Sequence, residues 1–369
     1  MTPNNVAVQT LRTWLERQEA VTVLDIRKTA DHNEWAIPGS LHVDAYDALK
    51  ANDPDALLAV DLPAGKPIVT ICGAGKVSQI AAEQLRQRGL TAFSLEGGMK
   101  SWSLAWNSAP VALPGSAAQV IQVRRTGKGC LSYLIASGGA AAVIDPALEP
   151  DVYLTLAQEN GWQITHIFDT HIHADHLSRA RQLAAASGAT LYLPAQQRVA
   201  YPFHAITDGD VIAIGAARLQ VLHTPGHTLE SVSFLLDDQA LFTGDTLFLG
   251  GVGRPDLEAN ATEARKRAHL LYHSLHRLLA LPDATLLLPG HTSEPVAFDG
   301  VALAAPLATV RQRVALLQAA EEAFVASLLA RLPPTPPNHA HIVAWNESDQ
   351  PFTGDPTEWE AGANRCAIA

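Results

Sequence analysis

DTHIHADHLS, residues 169–178, sets three histidines and two aspartates in ten positions at the end of the apolar run ITHIFDT (164–170). A short β-branched run bounded by polar residues reads as a buried strand, and a strand ending in histidines holds them on a loop anchored by a rigid sheet. Side chains two positions apart in an extended turn point the same way. His171 and His173 can therefore share one metal ion, while Asp175 and His176 face a second position. Imidazole nitrogen and carboxylate oxygen suit zinc, iron or manganese, and a donor set without thiolate argues against a purely structural zinc site.

The surrounding chain repeats this pattern. VIQVRRTG (120–127), CLSYLIAS (130–137) and AAAVID (140–145) read as a strand meander, followed by a helix over 151–160. RARQLAAASG (179–188) reads as a helix and ATLYLP (189–194) as a strand. RLQVLHT (218–224), SVSFLLD (231–237), ALFTGD (240–245) and TLLLPGH (285–291) read as strands that each end where a His or Asp appears. Residues 300–332 are alanine- and leucine-rich with helical period, and LPPTPPNH (332–339) breaks into an extended tail.

Three further pieces, HTPGHT (223–228), TGDT (243–246) and PGHT (289–292), follow the opening motif in order. Together they resemble the metallo-β-lactamase superfamily over residues 118 to 300, which implies an αββα sandwich with metal at one edge. By that resemblance His171, His173 and His227 serve one position, Asp175, His176 and His291 the other, and Asp245 bridges. Such a set describes a binuclear zinc thioester hydrolase of the glyoxalase II type, which needs a metal-bound water of lowered pKa.

GDTLFLGGVGRPDL (244–257) points to a different branch. Gly251, Gly253, Arg254 and Asp256 look like the stretch that follows the aspartate in persulfide dioxygenases, with Val252 and Pro255 departing from it. The aromatic pair usual in glyoxalase II after the arginine is missing here. HADH in the first motif, PPNHAHIVAWNE (336–347) and ANRCAIA (363–369) are similar to the same branch. The resemblance implies one Fe(II) per chain on His171, His227 and Asp245, with His173, Asp175, His176 and His291 as surrounding or second-site residues. Two histidines and one carboxylate leave positions open for persulfide and dioxygen. The implied reaction oxidises glutathione persulfide, or a related thiol persulfide, to sulfite and free thiol. Arg254, a planar fork suited to carboxylates, is expected to bind that substrate; its plainer reading is a pair with Asp256.

The first third is of another kind. VTVLDI (21–26), PIVTIC (67–72), KVSQIAAEQLRQRG (76–89) and LTAFSLEGG (90–98) alternate strand and helix, and SAPVALPGSAA (108–118) reads as a linker. The expected division is an α/β domain over 1–110, a linker at 111–118 and the metal domain over 119–369. In CGAGKVS (72–78) two glycines let backbone N–H groups curl inward before a helix start, which stabilises a thiolate at Cys72. LDIR (24–27), IPGSLHVD (37–44) and LEGGMKSW (95–102) complete a resemblance to the rhodanese family across residues 5 to 107. It implies that Cys72 carries sulfane sulfur, exchanging it with sulfite and thiosulfate, and leaves Lys76 as the loop's cation for binding the donor.

Apolar residues make up 47% of the 369, enough for globular cores. Twenty-six basic against 37 acidic residues give −11, with no basic run, so nucleic acid and anionic membrane are poor partners. The first twenty residues lack signal-peptide features and no run reaches membrane-spanning length, so a cytoplasmic protein is expected, with a homo-oligomer left open. Three cysteines give no disulfide framework; Cys130 and Cys366 read as packing, and His32, His42 and His339 as structural. A non-enzymatic sulfur carrier or sensor with a vestigial metal site is the remaining alternative.

Overall fold

The apolar runs of the first third pair in parallel, as strands joined by helical crossovers do. In a computed structural model, which describes residues 4–63, 65–360, 362 and 365–369, they form a five-stranded sheet. Its order is Asn5–Val6, Ala92–Leu95, Ile68–Ile71, Thr22–Asp25 and Leu41–His42, parallel throughout. Helix Val77–Gln87 lays Ala81, Ala82 and Leu85 against Leu24, Ile26 and Ile68.

The second domain packs two sheets face to face. The first has seven strands: His204–Ile206, Thr190–Pro194, Gln163–Phe168, Ala140–Ile144, Cys130–Ser137, Gln119–Arg125 and Asn107–Val111 in spatial order. The other has six: Val211–Ile214, Ala217–His223, Val232–Leu236, Ala240–Gly244, Leu286–Pro289 and Ala305–Pro306. Tyr133, Ile144 and Phe168 from one meet Val221, Phe234 and Phe242 from the other in the hydrophobic layer between the sheets. Outside the seven-stranded sheet, Tyr153, Leu156 and Leu183 of helices Pro150–Glu159 and Ala180–Ser187 cover Leu134, Val143 and Ile167. Outside the six-stranded sheet, Leu271, Leu275 and Phe324 cover Leu222, Leu241 and Leu287. Helix, sheet, sheet, helix is the expected αββα sandwich, preceded by an α/β rhodanese-like domain.

Two expectations change. The boundary at 110 and the linker over 111–118 give way, because Asn107–Val111 pairs antiparallel with Gln119–Arg125 and closes the seven-stranded sheet. Pro110 is tolerated there since an edge strand leaves one side of its backbone unpaired. The helical stretch over 300–332 is broken into Leu307–Arg313, a 3-10 turn at Ala315–Gln318, and Glu321–Ala330. Part of ANRCAIA, Ala363 and Asn364, lies outside the described residues. Among the described residues no helix is long and apolar enough to cross a membrane.

Candidate metal centre

The four motif loops leave strands of both sheets at one edge of the sandwich. Residues 169–178 follow Gln163–Phe168, His227 follows Ala217–His223, Asp245 follows Ala240–Gly244, and His291 follows Leu286–Pro289. All of these side chains are buried.

Hydrogen bonds determine which atoms face one another. The Thr170 hydroxyl donates to Asp145 Oδ2 at 2.9 Å, so at 2.9 Å it must accept from His171 Nδ1–H. His171 is thereby held with its Nε2 lone pair free. His227 Nδ1–H donates to the Arg254 carbonyl at 2.8 Å, freeing its Nε2 in the same way. Asp245 Oδ1 accepts from His291 Nδ1 at 2.5 Å, which leaves Oδ2 lying 4.0 Å from His171 Nε2 and 3.7 Å from His227 Nε2. Three acceptor atoms thus converge with no proton between them, and among the described residues neither His171 Nε2 nor Asp245 Oδ2 is given a hydrogen-bond partner. Burial, then the neighbouring His173, holds the His171 pKa well below the ordinary imidazole value, and burial lowers that of His227. Burial raises the Asp245 carboxyl, but His291 outweighs it and keeps the group ionised. Neutral imidazoles facing a carboxylate are the donor set a divalent cation needs, so these residues fit a metal ion.

His173 is not brought into that set. Its Nε2 lies 3.3 Å from Asp145 Oδ1 and 3.7 Å from Asp169 Oδ1; burial disfavours the imidazolium, but Asp145 outweighs it and raises the pKa well above normal. Asp175, His176 and His291 do gather at a second position, as expected, and Cys130 joins them. His176 Nδ1 lies 3.0 Å from Asp175 Oδ1, His291 Nε2 2.9 Å from Asp175 Oδ2, and Cys130 Sγ 3.6 Å from the same oxygen. Burial and Asp175 push the Cys130 thiol up, yet His176 and His291 bring it down to about 6. Cys366 lies close to Asp245 and His291. Reading Cys130 and Cys366 as plain packing therefore missed two neighbours of the centre. For Cys130 the only signal was that its strand starts where the chain meets His291, a backbone bridge invisible in sequence.

Arg254 does not reach the centre as a substrate clamp. It is fully buried, and all five of its N–H donors are spent. Nε and Nη2 hold the two Asp256 oxygens at 2.8 and 2.7 Å; the remaining donors take the Pro333, Pro334 and Arg365 carbonyls. Asp256 and the tail thus fix the segment whose Arg254 carbonyl positions His227. The tail also contributes Asn346, which donates to the His173 and His176 carbonyls, and Glu360, which accepts from Leu177 N at 2.6 Å and pairs with Arg125 at 2.7 Å.

Two hollows of about 150 Å³ each reach the centre. One, lined by Lys128, Asn338, Trp359, Arg365 and Glu34 of the first domain, ends at Asp175. The other, lined by Phe248, Gly251 and Ala369, ends at His291.

In the first domain Cys72 Sγ sits 3.3 Å from Ser78 Oγ, which lies 2.8 Å from Ser94 Oγ, at the base of a loop that leaves Lys76 exposed. Gly98, at φ +58, closes the loop from behind: a Cβ there would stand 2.2 Å from the Cys72 carbonyl oxygen. Lys100 on the same turn pairs with Asp355 and Glu358 of the tail at 3.1 and 3.0 Å, so the two domains are tied through the segment that ends in Glu360. His32 and His42 stack on each other at 4.2 Å and His339 caps its own turn, consistent with structural roles.

Residues 125–291 match the metallo-beta-lactamase superfamily, and residues 7–105 match the rhodanese-like domain. A hydroxyacylglutathione hydrolase from Methylococcus capsulatus is 36% identical over 49% of this chain and 69% of its own length. The chain belongs to the metallo-beta-lactamase superfamily. Within the superfamily, a hydroxyacylglutathione hydrolase from Rhodospirillum rubrum is 40% identical over 42% of this chain, which spans 57% of that relative's length. Among solved structures, a metallo-beta-lactamase from Staphylococcus aureus matches with TM-score 0.59 at 31% identity, covering 64% of this chain and 76% of that one. ETHE1 from Myxococcus xanthus matches with TM-score 0.54 at 32% identity, covering 61% and 96%. Superfamily members at this distance share a metal-binding fold, and the rhodanese-like domain precedes it here.

Proposed function

We propose that this chain is a cytoplasmic persulfide dioxygenase, oxidising glutathione persulfide or a related thiol persulfide to sulfite and free thiol, with a sulfurtransferase domain attached. The observation that carries the reading is the converging set of His171 Nε2, His227 Nε2 and Asp245 Oδ2. Two histidines and one carboxylate on one face match non-haem ferrous oxygenases. Bound there by His171, His227 and Asp245, one Fe(II) would supply the one-electron chemistry that dioxygen needs.

The protein's own groups do the rest. His171 and His227 are held as neutral Nε2 donors by Thr170 and the Arg254 carbonyl, so no proton competes for the site. Lys128, whose Nζ gives one hydrogen bond to the Glu360 carbonyl, and Arg365, paired with Glu34, line the hollow that ends at Asp175 and make it the cationic approach a carboxylate of the peptide thiol would use. Asp175 and His176, paired at 3.0 Å beside that hollow, would orient the water whose oxygen completes sulfite, the overall reaction taking persulfide, dioxygen and water to sulfite and the protonated thiol. In the first domain Cys72, at the base of its glycine loop, carries sulfane sulfur to or from thiosulfate and sulfite, and Lys76 is the cation at the loop's mouth.

A second reading is favoured by the curated relatives, which are hydroxyacylglutathione hydrolases: two Zn(II), one on His171, His173 and His227, the other on Asp175, His176 and His291. Paired assays separate the two. The dioxygenase reading expects oxygen uptake with glutathione persulfide, sulfite in proportion, and no hydrolysis of a hydroxyacylglutathione thioester. Thioester hydrolysis without oxygen uptake overturns it.

A further inference from the structure

The hollow that ends at Asp175 is built by both domains. Helix Thr29–Glu34 of the first domain stops at Trp35, whose buried indole Nε1–H donates to the Thr126 carbonyl of the metal domain at 3.2 Å. The turn at 126–129 also carries Lys128, and a Cβ on its Gly129 would stand 3.0 Å from Trp35 Cη2, so glycine there lets the indole seat closely. Arg27 Nη2 donates to the Trp35 carbonyl at 2.7 Å and fixes the segment from its other side. Glu34 is thereby held beside the hollow, where its carboxylate pairs with Arg365 at 2.5 Å, both side chains partly exposed. Lys128 differs from that pair. It is 4% exposed, its Nζ gives one hydrogen bond, to the Glu360 carbonyl at 2.8 Å, and among the described residues it makes no ion pair. An ammonium taken out of water without a counter-charge is costly. The hollow therefore holds an unanswered positive charge within and an exchangeable ion pair at its wall.

We propose that Glu34, a residue of the rhodanese-like domain, selects the substrate of the metal centre by its α-ammonium group. An α-amino acid head carries an ammonium and a carboxylate on one carbon. Set against the Glu34–Arg365 pair, each of its charges meets the opposite one: the ammonium meets Glu34 and the carboxylate meets Arg365. A partly exposed ion pair contributes little by itself, so opening it for the ligand costs little. Lys128 then answers a second carboxylate. A thiol peptide with one α-ammonium and two carboxylates, as glutathione is, presents this set, whereas a thiol without the amine leaves Glu34 facing Arg365 alone. The inference deepens the proposed function by naming the chemistry of the thiol, and it rests on the reading that a glutathione-like thiol enters by this hollow. Glu34 determines specificity and takes no part in the oxidation. The first domain becomes a wall of the second domain's binding site as well as a sulfur carrier.

The test uses the full, iron-loaded chain and two thiols: glutathione, and glutaryl-cysteinyl-glycine, in which hydrogen replaces the α-ammonium. Calorimetry gives Kd for each thiol, and oxygen uptake gives KM for each of the two persulfides. Wild type is expected to favour the aminated member about fivefold in both, the upper end of what a partly exposed ion pair confers. Glu34→Gln is expected to treat the two alike. Asp31→Asn, on the same helix but outside the hollow, is expected to keep the fivefold preference. A merely structural Glu34 would weaken both ligands together, so the ratio is the deciding readout, and the wild-type comparison needs no variant to fold. Equal affinities in wild type, or a preference that survives in Glu34→Gln, overturns the inference, and oxygen uptake in the same samples leaves the dioxygenase reading standing. Discrimination between the thiols in calorimetry with no oxygen uptake on either persulfide retains the inference and removes that reading.

Discussion

Replacing Arg254 by lysine separates a structural brace from a substrate clamp. Arginine makes five hydrogen bonds there, two to Asp256 and three to carbonyls of the tail, and none to open space. Lysine keeps the charge but has three donors on one nitrogen, so at least two of the five acceptors lose their partner. Bonds to a charged group are each worth about 1.5–3 kcal/mol, so Arg254→Lys should destabilise the metal domain by about 3–6 kcal/mol. For a domain of this size that is a fall in Tm of roughly 6–24 °C, at about 2–4 °C per kcal/mol. Urea unfolding followed by tryptophan fluorescence measures the loss, and steady-state oxygen uptake on the surviving folded protein measures KM. The expected result is a lower unfolding midpoint, weaker iron retention through His227, and KM for the persulfide within about twofold of wild type. A KM raised tenfold or more with the midpoint unchanged would show that the guanidinium binds substrate, and the structural reading would fail.

Three other outcomes are expected. Glu360→Gln should lower stability at pH 7 by about 3 kcal/mol, since it leaves buried Arg125 unpaired. The Glu360 pKa is depressed in the folded state, burial being outweighed by Arg125 and Arg179, so its contribution is present above the unfolded value of about 4.3 and fades as pH falls below it. Urea midpoints of the two proteins should therefore converge in acid; a gap that stays constant down to pH 3 refutes the assignment. Gly226→Ala introduces a Cβ within 2.4 Å of Leu271 Cβ at a φ of +146, so the loop before His227 must shift; stability should fall by about 1–3 kcal/mol with a parallel loss of iron, and full metal retention speaks against the loop's role. Cys72→Ser should abolish sulfur transfer from thiosulfate while oxygen uptake on supplied persulfide continues, and loss of both activities in a folded, iron-loaded protein contradicts separate sites.

The residues gathered at the sandwich edge were legible because each follows a strand of the sandwich, and residues at strand ends are fixed by pairing that the apolar runs reveal. His171, His227 and Asp245 needed the order of their motifs to be joined, and the hydrogen bonds from Thr170 and Arg254 needed the structure. Burial was not legible: Gly-Val-Gly-Arg254 reads equally as a clamp or a brace until the tail carbonyls of Pro333 and Pro334 are seen around it. Cys130 opens a strand with every residue buried, so nothing in its neighbours marked it as facing Asp175. The edge strand Asn107–Val111 was hidden by Pro110 and the small residues around it. Helix Ala261–Leu279 was readable and overlooked: Asn260 caps Glu263 N at 3.0 Å, and Ala264, Ala268, Leu271, Leu275 and Leu278 repeat at helical spacing.

The central claim is that one ion sits on His171, His227 and Asp245 and that His173 stays off it. Crystals of the iron-loaded chain, with anomalous difference maps at the iron and zinc edges, measure this directly. The account predicts one iron peak about 2 Å from His171 Nε2, His227 Nε2 and an Asp245 oxygen, with His173 still against Asp145. Two peaks, with His173 on the first and Asp175, His176 and His291 on the second, would contradict it.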